Sequence, residues 1–292
     1  MLLQDSNSLL NDFKCQPLTK REYGHRHIPC YDVSDGQKSL QLARDAFLRG
    51  EFNQSFDIYE QLSIVYSGSA IEILAELYDQ YKRLPSQDRY TLYQSRSYDF
   101  GISPKDKVLD IGSGNVPFLQ ATHLADIAVA DNNYGRAGAP FKYIEGKPVF
   151  ECNIENMPFA DKEFDFVYCS HVLEHANNPE RACNELMRIG KRGYIETPTH
   201  GKDLWMNSAQ VSNHKWAVEN IYNKLIFTEY TQREIGGLKN NILQCMQSSP
   251  QTVREKAFSA LLYLRAEVVN TMMLWDNSFA YEVRRIGAPD IC

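Results

Sequence analysis

The segment Val108-Leu109-Asp110-Ile111-Gly112-Ser113-Gly114-Asn115-Val116-Pro117-Phe118 decides the fold of this chain. Four residues of buried-strand character run straight into a Gly-x-Gly turn, where the backbone can bend tightly and approach a ligand that any Cβ would push away. Such a turn belongs to many nucleotide-binding folds. A dinucleotide fingerprint wants a third glycine where Pro117 stands, which argues against a nicotinamide dehydrogenase. Asp110, ahead of the turn, is an anion unsuited to a pyrophosphate and well suited to an α-ammonium group.

On the C-terminal side of this segment, short apolar runs alternate with helical stretches. Residues 107–111, 126–131, 164–169 and 193–197 read as strands, with a helix over 179–189 before the last of them. Strands alternating with helices argue for an α/β fold with a mostly parallel sheet wound on both faces, and ligands then bind at the carboxyl ends of the strands. Residues 216–219 and 224–227 flank a turn and read as a hairpin, while a helix over 252–274 and a strand over 279–283 complete the domain. On the N-terminal side, residues 1 to about 35 are polar and aperiodic. From Gln37 to Leu84 the apolar residues fall at helical spacing, with a break at Arg49-Gly50-Glu51 and an end at Leu84-Pro85. The stretch 43–62 looks like one tetratricopeptide-type helix pair. A single such unit cannot bury its own face, so a solenoid is excluded and packing against another domain is implied.

The chain has 292 residues, 43% of them apolar and 23% charged, which is the composition of a folded protein with a sizeable core. Its 31 basic and 37 acidic residues give a net charge of −6. With no Lys/Arg-rich run there is no electrostatic footprint for a phosphate backbone, so nucleic acid is a poor partner. No run approaches the roughly 18 apolar residues that span a bilayer, and the first residues lack a basic and apolar leader pattern, so no membrane association and a cytoplasmic location are expected. Seven scattered cysteines, never paired as C-x-x-C, fit reduced thiols.

Further on, Asn153-Ile154-Glu155-Asn156-Met157-Pro158-Phe159 precedes Ser170-His171-Val172-Leu173-Glu174-His175. With the glycine turn, these segments resemble the class I S-adenosylmethionine-dependent methyltransferases, particularly the small-molecule group. The resemblance is strong over residues 104 to 200. It implies a Rossmann-like sheet of seven mostly parallel strands with helices on both faces, over residues 98–292, and S-adenosyl-L-methionine as cofactor. Residues 1–97 then form an N-terminal arm and helical cap, an acceptor-side wall or lid. By the same resemblance Gly112, Ser113 and Gly114 line the methionyl part of the cofactor, with Asp110 reaching its amino group. Asp131 holds the ribose hydroxyls with Asn132 beside the adenine, Asn153 and Ile154 contact the adenine, and Ser170 lies near the reacting methyl. Arg96, and less surely Tyr93, is the candidate for the cofactor carboxylate. Val116 replaces a common third glycine and Asn153 an acid; an asparagine carbonyl still accepts from an amino group.

Methyl transfer asks for alignment and desolvation, and for a base only where the acceptor holds its proton tightly. His171 and His200, at the sheet's carboxyl edge, and His214, close in sequence, are the candidate bases. The acceptor side is rich in Tyr23, His25, His27, Tyr31, Trp205, Asn207, Asn213 and Trp216, which suits a small hydroxylated molecule or a glycan. O-methylation is the leading expectation, with N- or carboxylate methylation and a non-catalytic cofactor-binding module as alternatives. His171-Val172-Leu173-Glu174-His175 also matches an H-x-x-E-H zinc hydrolase signature, which requires a helix and leaves the glycine turn unexplained. No metal ligand is assigned, although Asp203 and the nearby histidines leave a metal that assists the acceptor open.

Overall fold

The computed structural model describes residues 29–133, 136, 138–206, 213–231, 234 and 249–287, and the chain divides into two units. The first unit comprises residues 29–86, 91–99 and 249–264. Helices α1 (Gly36–Leu48), α2 (Phe52–Val65), α3 (Ala70–Tyr81) and α6 (Val253–Leu264) build it. The Asp35 carboxylate caps α1 by accepting the Lys38 N–H. Gly50, at φ +81°, makes the expected break before α2. Phe56, Tyr59, Leu62, Leu77 and Tyr81 are fully or almost fully buried, and Tyr81 meets Phe56 at 4.3 Å and Tyr263 at 4.9 Å between ring centroids.

Arg96 lies in the core of this unit. Its guanidinium pairs with Asp57 at 2.8 Å and with Glu60, and donates to the Leu264 carbonyl at 2.6 Å. Asp57 and Glu60 point inward from α2, so each buried charge is matched, as the low interior dielectric requires. Tyr93, the weaker candidate, stacks on Tyr263 in the same unit.

The second unit holds the glycine turn. Strands β1 (Val108–Ile111), β2 (His123–Asp126), β3 (Val149–Glu151), β4 (Phe166–Ser170), β5 (Arg192–Pro198) and β8 (Asn270–Asp276) form one sheet in the order β3-β2-β1-β4-β5-β8. The first five run parallel and β8 pairs antiparallel with β5, from Arg192 opposite Asp276 to Pro198 opposite Asn270. Among the described residues this sheet has six strands rather than seven. The expected hairpin, β6 (Trp216–Ile221) and β7 (Lys224–Glu229), joins β9 (Ala280–Arg284) in a separate three-stranded sheet. Its two linking residues, Tyr222 and Asn223, both have positive φ, the turn whose twist matches that of paired strands.

Two expected boundaries move, and one strand is new. The helix over 252–274 stops at Leu264, because Met272, Met273 and Trp275 are buried as part of β8; an apolar run fits either periodicity, and the free edge of β5 decides it. The strand over 126–131 is instead His123–Asp126, because the Asp126 carboxylate accepts the Ala128 N–H and turns the chain. Strand β3 carries only three residues and had no distinct signal.

Helix α4 (Pro179–Ile189) matches its expected span, capped by Asn178 with proline in its first turn. Ala182, Cys183, Leu186 and Ile189 are fully buried in one cluster with Leu109, Val167 and Ile195 of the sheet. Gly193, in β5, has no room for a side chain: an added Cβ would lie 2.3 Å from the Val167 carbonyl oxygen and 2.8 Å from the Trp275 ring. Gly193→Ala should therefore lower stability by roughly 1–3 kcal/mol as an overpacking change, read as an earlier urea midpoint; an unshifted midpoint would contradict this packing.

Candidate functional site

The order of the parallel strands reverses between β1 and β4, where an open α/β sheet leaves a crevice at its carboxyl edge. A cleft of about 950 Å3 opens there, lined along one side by residues 111–116, Asp126 and Ile127, and along the other by residues 170–172 and 174–177. Its volume suits a nucleoside-sized ligand.

The glycine turn is held by its backbone. Gly112 and Ser113 donate their N–H groups to the Ala125 carbonyl, and Gly114 donates to the Asp126 carboxylate at 3.0 Å. Gly112 and Gly114 have φ +69° and +50°, and a Cβ on Gly112 would strike Val172 at 2.2 Å. Ser113 Oγ is buried in the cleft wall with no hydrogen-bond partner among the described residues. A turn of bare backbone with an unspent hydroxyl, open to the cleft, fits the methionyl group that the sequence implied for it.

Asp110 sits behind the turn. It accepts the Phe118 N–H at 2.8 Å, and burial pushes its carboxyl up to about 7 against the pull of that bond and of Arg89. It does not line the cleft. Asp131 and Asn132 are exposed and also lie outside the lining; the carboxylate at the end of β2 is Asp126. Arg136 locks the connection after β2 by donating to the carbonyls of Ala128, Val129 and Asp131, and lies 3.5 Å from Asp126. Asn153 and Ile154 line the cleft, but the Asn153 carbonyl already accepts the Glu155 N–H, so its amide donors are the groups left in full. Arg96 lies in the helical core of the first unit, and the arginine lining the cleft is Arg89, with Lys202 also on the wall. Burial holds the Lys202 ammonium below its usual range.

Ser170 and His171 end β4 in the cleft wall. His171 adopts φ +59°, a strained conformation for a residue with a side chain. Its imidazole bridges two fully buried carboxylates, with Nδ1 3.4 Å from Glu174 and Nε2 3.2 Å from Glu196. His200 instead faces Glu234 at 3.2 Å and does not line the cleft. His214 does, with Nδ1 2.9 Å from Asp203. Burial works against its charge, but Asp203 and Glu174 outweigh it and raise its basicity. Burial alone would raise Glu174; the three surrounding histidines instead hold it at about 2. Leu173–His175 is one 3-10 turn, not the helix a zinc hydrolase motif requires.

Tyr23, His25, His27, Asn207 and the side chain of Trp205 lie outside the described residues. Trp216 is structural: its indole N–H donates to the Ala176 carbonyl at 2.7 Å. The cleft residues that sequence reasoning left unassigned are Arg89, Asp126, Arg136, Glu174, His175, Glu196 behind His171, and Lys202. Glu174 and His175 stand in the His171–His175 motif, and Asp126, which ends β2, falls at the start of the strand that the apolar run over 126–131 suggests.

Residues 109–195 match the family model described as a methyltransferase domain. The chain is 28% identical over 114 residues to a sterol 24-C-methyltransferase of Gibberella zeae, covering 34% of this chain and 28% of that protein. It is 30% identical over 103 residues to a ubiquinone/menaquinone biosynthesis C-methyltransferase of Xanthomonas oryzae pv. oryzae, covering 32% and 41%. The chain thus spans less than half the length of these curated relatives. A solved SAM-dependent methyltransferase from Aquifex aeolicus is similar at 18% identity and a TM-score of 0.28, over 42% of this chain and 73% of that one. Segment 109–195 is a class I S-adenosylmethionine-dependent methyltransferase domain, and S-adenosyl-L-methionine is the cofactor of that class. No helix among the described residues is long and apolar enough to cross a membrane.

Two outcomes follow from this geometry. Asp126→Ala should weaken S-adenosylmethionine binding roughly 10- to 100-fold in calorimetry, the size of a hydrogen bond to a charged group, while Asp131→Ala leaves it unchanged; the reverse pattern would return the ribose to Asp131. Asp110 loses its proton near 3.8 in an unfolded chain but only near 7 in the fold. Folding therefore takes up a proton between those values, and the stability of the cofactor-free protein falls as pH rises through that window. Asp110→Asn should flatten this slope in urea titrations from pH 4 to 7, and a slope that survives would assign it to other groups.

Proposed function

We propose that this chain transfers a methyl group from S-adenosylmethionine to a hydroxyl oxygen of a small molecule or glycan. The observation that carries this reading is His171, held in a strained conformation between two buried carboxylates on the wall of the cleft that the glycine turn opens. The cofactor supplies an electrophilic sulfonium methyl.

Gly112, Ser113 and Gly114 would receive the methionyl backbone, with Arg89 facing its carboxylate. Asp126 would accept the ribose hydroxyls, its charge kept by Arg136, and Ile154 and Asn153 would bound the adenine. His171 does the work on the acceptor side. A neutral imidazole can donate its one N–H to only one of the two carboxylates, so its other ring nitrogen is the atom that would take the hydroxyl proton, and the cation so formed is flanked by Glu174 and Glu196. The two walls of the cleft would align the reactants, which is where much of the rate comes from in such a displacement. His200 contributes no base in this reading, because it faces Glu234 instead.

A second reading has support in the names of the two relatives, both C-methyltransferases. A carbon nucleophile next to a hydroxyl needs the same deprotonation, so the product distinguishes the two. Labelled S-adenosylmethionine offered to hydroxylated metabolites, sugars, phenols and sterols, with the product resolved by NMR, should give an O-methyl group. His171→Ala should cost roughly 100- to 10,000-fold in kcat, the usual worth of a positioned base, with cofactor affinity retained. Full turnover in that variant would remove His171 from the mechanism, and bound cofactor with no transfer to any acceptor would leave a binding module.

A further inference from the structure

Glu174 presents a problem that methyl transfer alone does not solve. Its side chain has no exposed surface, and among the described residues neither carboxylate oxygen accepts a hydrogen bond of good geometry. Besides His171, two imidazoles converge on it: His175 Nε2 lies 3.9 Å and His214 Nε2 4.0 Å from Glu174 Oε1. Those separations are too long for hydrogen bonds. Two ligands bonded to one ion at roughly 2.0–2.2 Å stand about 3.3–3.6 Å apart in a tetrahedral site, so these gaps are slightly opened versions of such a pair and close with a small side-chain shift. One ligand atom from each of Glu174, His175 and His214 can be chosen so that all lie within 4.8 Å of one another.

The far side of each ring is arranged for the same purpose. His214 Nδ1 meets the Asp203 carboxylate at 2.9 Å, and Tyr230 donates its hydroxyl to the same oxygen at 2.8 Å. His175 Nδ1 is 3.3 Å from the Asn213 carbonyl. Partners of this kind fix the tautomer so that the unprotonated Nε2 faces inward. The backbone holds the two halves together, as Lys215 donates its N–H to the Glu174 carbonyl at 2.7 Å and Trp216 donates to Ala176.

We propose that Glu174, His175 and His214 bind one divalent transition-metal ion in the wall of the cleft. Two imidazoles and one carboxylate suit zinc, ferrous iron or manganese, whereas magnesium favours oxygen ligands. Three protein ligands leave positions open, and all three residues line the cleft, so the free positions face the space left for the acceptor. The ion would hold an acceptor oxygen beside His171 and lower the basicity needed there. That role rests on the proposed methyl transfer, but ion binding is testable with neither donor nor acceptor present.

The test uses the full chain stripped with chelator, then titrated with Zn2+, Mn2+, Fe2+ under anaerobic conditions, or Mg2+, with bound metal counted by mass spectrometry after gel filtration. Zinc, manganese or iron should bind near one per chain, and magnesium should not. Asp203→Asn should weaken binding roughly 10- to 100-fold as an outer partner does, and His175→Ala and His214→Ala should weaken it further. His123→Ala, at the start of β2, should change nothing. Should His214→Ala fail to fold by circular dichroism, His175→Ala, half-exposed at the cleft, carries the comparison. Binding that survives both His175→Ala and His214→Ala, binding of magnesium alone, or no stoichiometric binding at all overturns the assignment.

Discussion

The backbone N–H groups of Gly112, Ser113 and Gly114 are satisfied at the carboxyl end of β2, by the Ala125 carbonyl and the Asp126 carboxylate. Buried amides must find partners, so this docking fixes how far β1 runs before it turns. It also fixes where Asp126 points, and therefore where Arg136 must sit to face its charge. Gly112 brings the turn under Val172, immediately after the strained His171, which ties the two walls of the cleft together. The cleft on β1 and β4 is a consequence of those few bonds.

Much of the α/β pattern was legible from periodicity. The glycine turn, the hairpin and helix Pro179–Ile189 fall where spacing and caps put them, because a buried strand, a primed turn and an asparagine-proline start each leave a local signature. Less legible was whatever tertiary pairing decides. Residues 270–274 read as the end of a helix until the edge of β5 takes 270–276 as a strand. Asp126 and Asp131 both looked like strand ends, and only the bonds made by the Asp126 side chain separate them. Arg96 and Arg89 are seven positions apart and chemically identical; one is claimed by Asp57 and Glu60 in the helical core, and the other reaches the cleft.

Charge inside the second unit is distributed by the same economy. Glu174 and Glu196 have no exposed surface; imidazoles stand against both, and Tyr194 also donates its hydroxyl to Glu196 at 2.5 Å. Asp110, with only a backbone N–H to accept, answers burial by holding its proton. Asp110 on β1 and Glu174 just after β4 thus answer burial in opposite directions, according to whether a basic ring lies within reach. Sequence position alone could not have told them apart.

Helix α6 belongs with the first unit although it follows β7 in the chain. During synthesis, α1 to α3 leave the ribosome long before the helix that carries Tyr263 to Tyr81. The ring of Tyr81 and the guanidinium of Arg96 therefore wait for Tyr263 and the Leu264 carbonyl while β1 to β7 are made. The unit that begins first can only be finished after most of the other has been synthesised. An interleaved chain of this kind couples the quality of the helical core to the time the rest takes to fold, and makes it dependent on protection of its apolar faces in the interval.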